Sequence, residues 1–198
     1  KRLIAYSSVS HMGFVMLGIS SVGRSADNLS AGGLNGAALQ MFTHGTITGL
    51  AFLMVGLTYD RVHTRHIPHL GGLVKKIPII AVFFFVAGLA SLGLPGLSGF
   101  VAEITIFLGS FREFPWATGF AAFGVVLAAG YVLWMLQRIF FGPGPNHRAL
   151  AADYDSLKDA NSVDLIPVII LTVPIILVGI WPAVVINVLK TGIQAVIR

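Results

Sequence analysis

The chain has 198 residues, of which 56% are hydrophobic and only 11% are charged, and its mean hydropathy is +0.85. Soluble domains carry about 25% charged residues, so this composition excludes an ordinary soluble protein and predicts an integral membrane protein. The net charge of +5 does not indicate nucleic-acid binding, because the basic residues lie in short loops between apolar runs.

Five apolar stretches are long enough to cross a bilayer, which takes about 20 residues in a helix. In chain order they cover about 3–21, 35–58, 77–110, 115–137 and 165–188. They predict an all-α, polytopic membrane helix bundle that forms a single membrane domain over residues 1–198. Because the chain opens on Lys1 without a Met or a signal peptide, we interpret it as the C-terminal part of a longer protein.

The first two spans each contain a histidine. His11 lies about 12 Å into the first span, and His44 lies about 14 Å into the second from the opposite face, at 1.5 Å per residue. Histidine titrates near neutral pH, so either side chain can accept and release a proton at small cost. The alternative for each is a hydrogen-bonded packing residue, and the neighbouring serines and threonines suit both roles.

The third span is predicted to be a broken helix. The segment Gly93–Gly99 (GLPGLSG) contains a proline, which removes a backbone donor, and glycines that loosen the remaining turns. Freed backbone groups survive in lipid only where protein or a water-filled cavity satisfies them. Glu103 follows the break, about 14 Å from the outer end of the span at Arg112. An acid at that depth costs at least about 2.5 kcal/mol, so we expect a functional role.

The three titratable side chains inside spans, His11, His44 and Glu103, therefore have similar predicted depths. A row of such groups with water between them would form a proton relay near the centre of the bilayer. Lys1 is a further candidate for the relay, although Lys1 and Arg2 also suit plain cytoplasmic anchors. A purely structural scaffold is the alternative, and it would leave this plane dry.

The loops indicate the orientation. Nine of the Lys and Arg residues fall on the side that contains the N-terminus and the loops 59–76 and 138–164, and four fall on the other. The positive-inside rule places the N-terminus in the cytoplasm and the C-terminus outside. The second of these loops reads as a solvated connector, within which residues 148–160 suit a short amphipathic helix.

Two further patterns, the loop histidines and the prolines of the fifth span, give little information about function. His63, His66 and His69 have the spacing of a metal cluster, but the only nearby carboxylate is Asp60, and we predict no metal site. In the fifth span, Pro167 suits a first turn, Pro174 should kink the helix, and Pro182 should bend or end it.

Four stretches of sequence carry a family resemblance. They are KRLIAYSSVSHMGF, QMFTHGTITGLAFLMVG, YDRVHTRHIPHLGGL and SLGLPGLSGFVAEITIFLGSF. Together they resemble the antiporter-like membrane subunits of respiratory complex I, above all the M-type subunit (chain 4), and the related D subunit of photosynthetic complex I. The resemblance covers the whole chain but is weak after about residue 140.

The resemblance implies a role in redox-driven proton translocation as a subunit of NADH (or ferredoxin):quinone oxidoreductase. The family's relay histidines map onto His11 and His44, its Lys-Arg pair onto Lys1 and Arg2, and the charged residue of its broken helix onto Glu103. M-type subunits place Glu at that last position, whereas the L and N types usually place Lys. The alternative is a subunit of a monovalent cation/proton antiporter that is not coupled to electron transfer.

The same resemblance implies that redox chemistry occurs elsewhere. The chain has no cysteine and no pattern for a nucleotide, flavin, haem or Fe–S cluster, so we expect no cofactor on it. Flavin, Fe–S clusters and the quinone site are expected on partner subunits. The expected partners are other membrane subunits of complex I and the lipid bilayer, in a bacterial plasma membrane or a thylakoid-type membrane.

Overall fold

The computed structural model describes residues 1–22, 28–144 and 154–197; the side chains of 28–31, 190 and 193–197 are not described. These ranges contain the α-helices α1 (Arg2–Ser20), α2 (Asn28–Val62), α3 (Pro78–Ser91), α4 (Ser98–Phe111), α5 (Pro115–Phe140), α6 (Ser162–Ile180) and α7 (Ala183–Ile197). The described residues include no strand. The predicted all-α fold is therefore confirmed.

Four helices have the length and composition of membrane spans: α1, α2 from Gly32 onward, α5 and α6. The helices α3 and α4 are apolar but have only 14 residues each, too few to cross a bilayer singly. They are the two halves of the predicted third span. The discontinuous helix expected from the sequence is thus confirmed, with its break at residues 92–97.

The break is built by a specific helix-ending motif. Gly93 adopts a left-handed conformation (φ 69°), and its N–H donates to Ala90 O at 3.3 Å. The N–H of Leu94 donates to Leu89 O at 3.1 Å. These are the two hydrogen bonds of a Schellman motif, in which glycine is favoured because it pays no Cβ penalty at positive φ. The end of α3 therefore satisfies its carbonyls locally before Pro95 turns the chain into α4.

Glycines hold α4 close to α2. A Cβ on Gly36 would overlap the backbone of Ile106, and a Cβ on Gly109 would overlap the backbone of Gly33. Small residues allow such close backbone approach between membrane helices. At the start of α4, a Cβ on Gly99 would overlap the carbonyl of Ala90 at the end of α3. The position of α4 is therefore set by direct backbone contacts on two sides.

The last predicted span, 165–188, is divided in the structure. Asn161 and Asp164 form a capping box, with reciprocal hydrogen bonds of 2.9 and 3.0 Å, so α6 begins at Ser162. Pro167 is consequently the sixth residue of the helix and not part of its first turn. The helix ends at Ile180 because Pro182 cannot continue the hydrogen-bond ladder. Residues 183–197 then form α7.

The loop between α5 and α6 is tied to the rest of the bundle. The guanidinium of Arg61 at the end of α2 pairs with the Asp164 carboxylate and donates to two carbonyls of the loop. The carboxylate of Asp159 accepts hydrogen bonds from the backbone N–H groups of Ile79 (2.6 Å) and Ile80 (3.2 Å). Asp159 therefore caps the first turn of α3 from 80 residues away. Of the amphipathic segment predicted at 148–160, residues 148–153 lie outside the described ranges, and 154–156 form a 3₁₀ turn.

Replacing Asp159 by Ala should destabilise the fold by about 1–2 kcal/mol, because the N-terminal amides of α3 lose their acceptor. The measurement is thermal unfolding of the purified protein in detergent. Asp155→Ala is the matched control, since that carboxylate pairs with Lys76 but is 94% exposed, and exposed pairs contribute little. Equal losses of stability in both variants would contradict the capping role.

Candidate functional site

A buried histidine–carboxylate pair lies at the centre of the bundle. Nδ1 of His11 on α1 is 3.3 Å from Oε1 of Glu103 on α4, and each side chain is only 5% exposed. Glu103 lies on the buried face of α4, which also carries Gly99 and Gly109 with their backbone contacts to α3 and α2. A buried acid requires such a partner, because an isolated ionised carboxylate in a low-dielectric interior is very costly. The two predicted site residues are therefore brought into direct contact.

His44 extends the pair into a row of three. Its ring centroid is 5.2 Å from that of His11, with the rings tilted by 40°. Unlike the other two, His44 is only half-buried within the described chain. The arrangement places His11 between a buried acid and a second, more accessible imidazole.

Gln40 is a fourth member of the site that the sequence reasoning missed. Its Nε2 is 3.5 Å from Nδ1 of His11, while its Oε1 is buried without a hydrogen-bond partner in the described ranges. The available signal was its position four residues before His44, which puts both side chains on one helix face. Nδ1 of His11 can donate to Glu103 when it carries a proton and accept from the Gln40 amide when it does not. The site thus accommodates both protonation states.

A tyrosine on α5 interacts electrostatically with the acid. The hydroxyl of Tyr131 is buried, and the polar groups that act on it are Ser7 and the Glu103 carboxylate. It makes no hydrogen bond of ordinary geometry to another described residue. A polar aromatic residue inside an otherwise apolar helix was the signal in the sequence. Tyr131 therefore adds a buried proton-bearing group within electrostatic reach of Glu103.

The helix break covers the carboxylate directly. A Cβ built on Gly93 would lie 2.6 Å from Oε2 of Glu103. Glycine is therefore required at this position both for its positive φ and for the space that the acid occupies. The Schellman turn that ends α3 and the acid of α4 form one unit, so the break fixes where the acid can be.

Lys1 lies apart from this cluster. It is an exposed residue at the start of α1, where it lines a cavity with Arg65, and it is about 15 Å from His11 along the helix. The structure does not bring it into contact with the other predicted site residues. A relay role for Lys1 would need intervening water.

The three loop histidines do not converge. The rings of His66 and His69 meet edge to face at 4.4 Å, whereas the ring of His63 packs against Tyr59. Across the described part of the chain, no group of three or more His, Asp or Glu side chains is arranged to hold a metal ion.

The arrangement suits proton transfer. The step between His11 and Glu103 needs only a shift of the proton between Nδ1 and Oε1, which converts a charged pair into a neutral pair. Transfer between His44 and His11 crosses a ring separation of 5.2 Å, which one water molecule or a ring rotation can bridge.

Comparisons with known proteins identify the family to which the chain belongs. Residues 1–128 match the family described as "NADH:quinone oxidoreductase/Mrp antiporter, TM". The chain is 43% identical over 189 residues to NAD(P)H-quinone oxidoreductase chain 4 1 of Synechococcus elongatus, covering 92% of this chain and 33% of that protein. It is 47% identical over 142 residues to NADH-quinone oxidoreductase subunit M of Rhodobacter capsulatus, covering 72% of this chain and 26% of that one. The aligned part of the chain thus spans between about a quarter and a third of the length of these relatives.

Solved structures show the same fold. A chain of respiratory complex I from Thermus thermophilus superposes with a TM-score of 0.82 at 28% identity, covering 98% of this chain and 39% of that chain. A chain of the Mrp complex from Dietzia sp. superposes with a TM-score of 0.79 at 20% identity, covering 95% and 41%. The resemblance to chain 4 and M-type subunits noted from the sequence is confirmed. The chain belongs to the NADH:quinone oxidoreductase/Mrp antiporter family of membrane subunits.

Proposed function

We propose that this chain is part of a proton-translocating membrane subunit of an NADH (or ferredoxin):quinone oxidoreductase. The observation that supports the proposal most directly is the buried contact of 3.3 Å between His11 and Glu103, with His44 next in the row. A broken helix and a buried acid each cost free energy within a bilayer. Here the two lie against each other, and a role in proton transfer explains both.

In this proposal the proton enters the described region at His44, whose ring is the most accessible of the three. It passes to His11 and then to Glu103, which releases it on the outward side. Each transfer moves one proton between neighbouring groups, and the carboxylate returns to its charged form when the proton leaves. The Gln40 amide, 3.5 Å from Nδ1 of His11, stabilises the neutral form of that imidazole.

The redox steps belong to other subunits of the assembly. Flavin, Fe–S clusters and quinone would be bound there, and the driving event would reach this subunit as a change in charge or conformation of its neighbours. The expected partners are other membrane subunits and the bilayer. The loop with Arg61, Arg65, Lys75 and Lys76 would face the cytoplasm, with Lys1 on the same side, in a bacterial or thylakoid-type membrane.

The proposal is tested by His11→Gln in the full complex. Glutamine keeps a hydrogen-bonding side chain of similar reach but cannot carry a proton at neutral pH, so we expect proton translocation per quinone reduced to fall several-fold. Both quantities are measured on the same vesicles, with a pH-sensitive dye and by quinone reductase assay. His63→Gln, the same change on an exposed loop histidine, is the control. Unchanged proton translocation in an assembled His11→Gln complex would refute the proposed relay.

The second candidate is a cation/proton antiporter subunit without a link to electron transfer. The family description names both classes, and the fold is shared with the Mrp complex. The two are separated by assaying sodium-dependent proton exchange in vesicles without an electron donor. Exchange at full rate without the donor would favour the antiporter, whereas dependence of proton transport on quinone reduction supports the first proposal.

A further inference from the structure

Two small cavities lie in line between the loop end of the bundle and His11. The outer cavity, about 40 Å³, is lined on its polar side by Lys1, Thr58, Thr64 and Arg65. The inner cavity, about 20 Å³, is lined on its polar side by Ser7, His11, Thr48 and Ser91. The outer one reaches the surface where Lys1 and Arg65 are exposed. The inner one ends at the imidazole of the proposed relay.

Three apolar side chains separate the cavities. Leu3, Phe84 and Met135 line both of them. Phe84 and Met135 are buried, at 2% and 4% exposure, and the Phe84 ring is held edge to face against Phe140 at 5.4 Å. Methionine is the most adaptable of the three because its unbranched side chain has three rotatable bonds. The barrier is therefore one layer of side chains thick.

The inner cavity meets the requirements for bound water. A cavity holds a water molecule once it offers about 10–15 Å³ of accessible space and several polar partners, so this one has room for about one or two. Ser7, His11, Thr48 and Ser91 supply hydrogen-bonding groups to this cavity. Water here would connect the imidazole to the constriction.

We infer that these cavities form a closed water passage through which protons exchange between the loop surface and His11, independently of His44. The inference rests on the proposed function, because a proton delivered to His11 needs Glu103 to proceed. The constriction of Leu3, Phe84 and Met135 acts as a hydrophobic gate that conducts only when wetted. Volumes of about 40 and 20 Å³ are too small for a hydrated sodium ion, whereas a proton can pass along hydrogen bonds between water and polar side chains.

Widening the constriction tests the inference. In the full complex reconstituted in liposomes, without an electron donor, Phe84→Ala should raise passive proton flux several-fold when a potassium diffusion potential is imposed. Phe85→Ala is the matched control, because that ring packs against Phe140 and Phe141 and lines neither cavity. Met135→Ala is a second opening variant that carries the test if Phe84→Ala does not assemble.

Adding Glu103→Gln to an opening variant should return the flux to the level of the control, since the route continues from His11 to the acid. The inference is overturned if neither assembled opening variant conducts more than Phe85→Ala, or if the extra flux persists in the double variant. If the Glu103→Gln variant loses pumping while the opening variants show no extra proton flux, the proposed function is supported and the water passage is refuted.

Discussion

Replacing Glu103 by Gln in the full complex should abolish most proton translocation. Glutamine has nearly the same shape and preserves a hydrogen-bond acceptor for His11, but it cannot bind and release a proton. Positioned proton-transfer groups contribute about 10²- to 10⁴-fold to rates, so we expect pumping to fall at least about tenfold. Proton uptake and quinone reduction are measured together, because a drop in the ratio of the two identifies a coupling defect.

The control for this experiment is Glu113→Gln. Glu113 lies just beyond the end of α4, is only partly buried, and is not one of the three titratable side chains His11, His44 and Glu103. Its replacement by Gln is therefore the same chemical change outside the proposed relay. We expect its pumping to remain close to that of the parent complex. If Glu103→Gln assembles and both its pumping and its quinone reduction are normal, Glu103 is not the proton-carrying group.

The second large effect is expected from Gly93→Ala. An alanine at φ 69° costs about 1–2 kcal/mol of backbone strain. In addition, its Cβ would lie 2.6 Å from Oε2 of Glu103, so the carboxylate must move away from its place beside His11. We expect both a lower unfolding temperature of the complex in detergent and a several-fold loss of proton translocation.

Gly96→Ala separates the two causes. Gly96 also has a positive φ of 94°, but a Cβ at that position meets no atom within 4 Å in the described structure. It should therefore reproduce the loss of stability without the loss of pumping. If Gly93→Ala and Gly96→Ala lower the unfolding temperature by similar amounts and also translocate protons at similar rates, the contact between the helix break and the acid has no functional role.

The broken helix and its acid were predictable because their signals are local. Proline and glycine act on the backbone within a few residues, so the segment 93–99 is enough to place the break. Glu103 is the only charged residue in a long apolar run, so the sequence alone is enough to single it out. The depths of His11 and His44 followed from counting residues at a fixed rise per residue, and this is why the three side chains were expected to lie together.

The remaining parts of the site depend on contacts between distant segments. Nothing near Tyr131 in the sequence indicates its electrostatic interaction with Glu103, and the cap that Asp159 provides to α3 joins residues 80 positions apart. Pro182 was correctly expected to bend or end the helix, but the span 165–188 was drawn beyond Ile180 because apolar composition continues through Trp181–Pro182 into the next helix. Hydropathy averages over such a junction, whereas the missing proline N–H acts at one residue.

The backbone contacts at Gly33, Gly36 and Gly109 limit the motions that can accompany proton transfer. They hold α4, which carries Glu103, in direct backbone contact with α2, which carries His44, so these two side chains are attached to one rigid unit. We expect turnover to be timed by rotamer jumps and the filling or emptying of small wet spaces, with helix displacement confined to segments beyond this rigid unit.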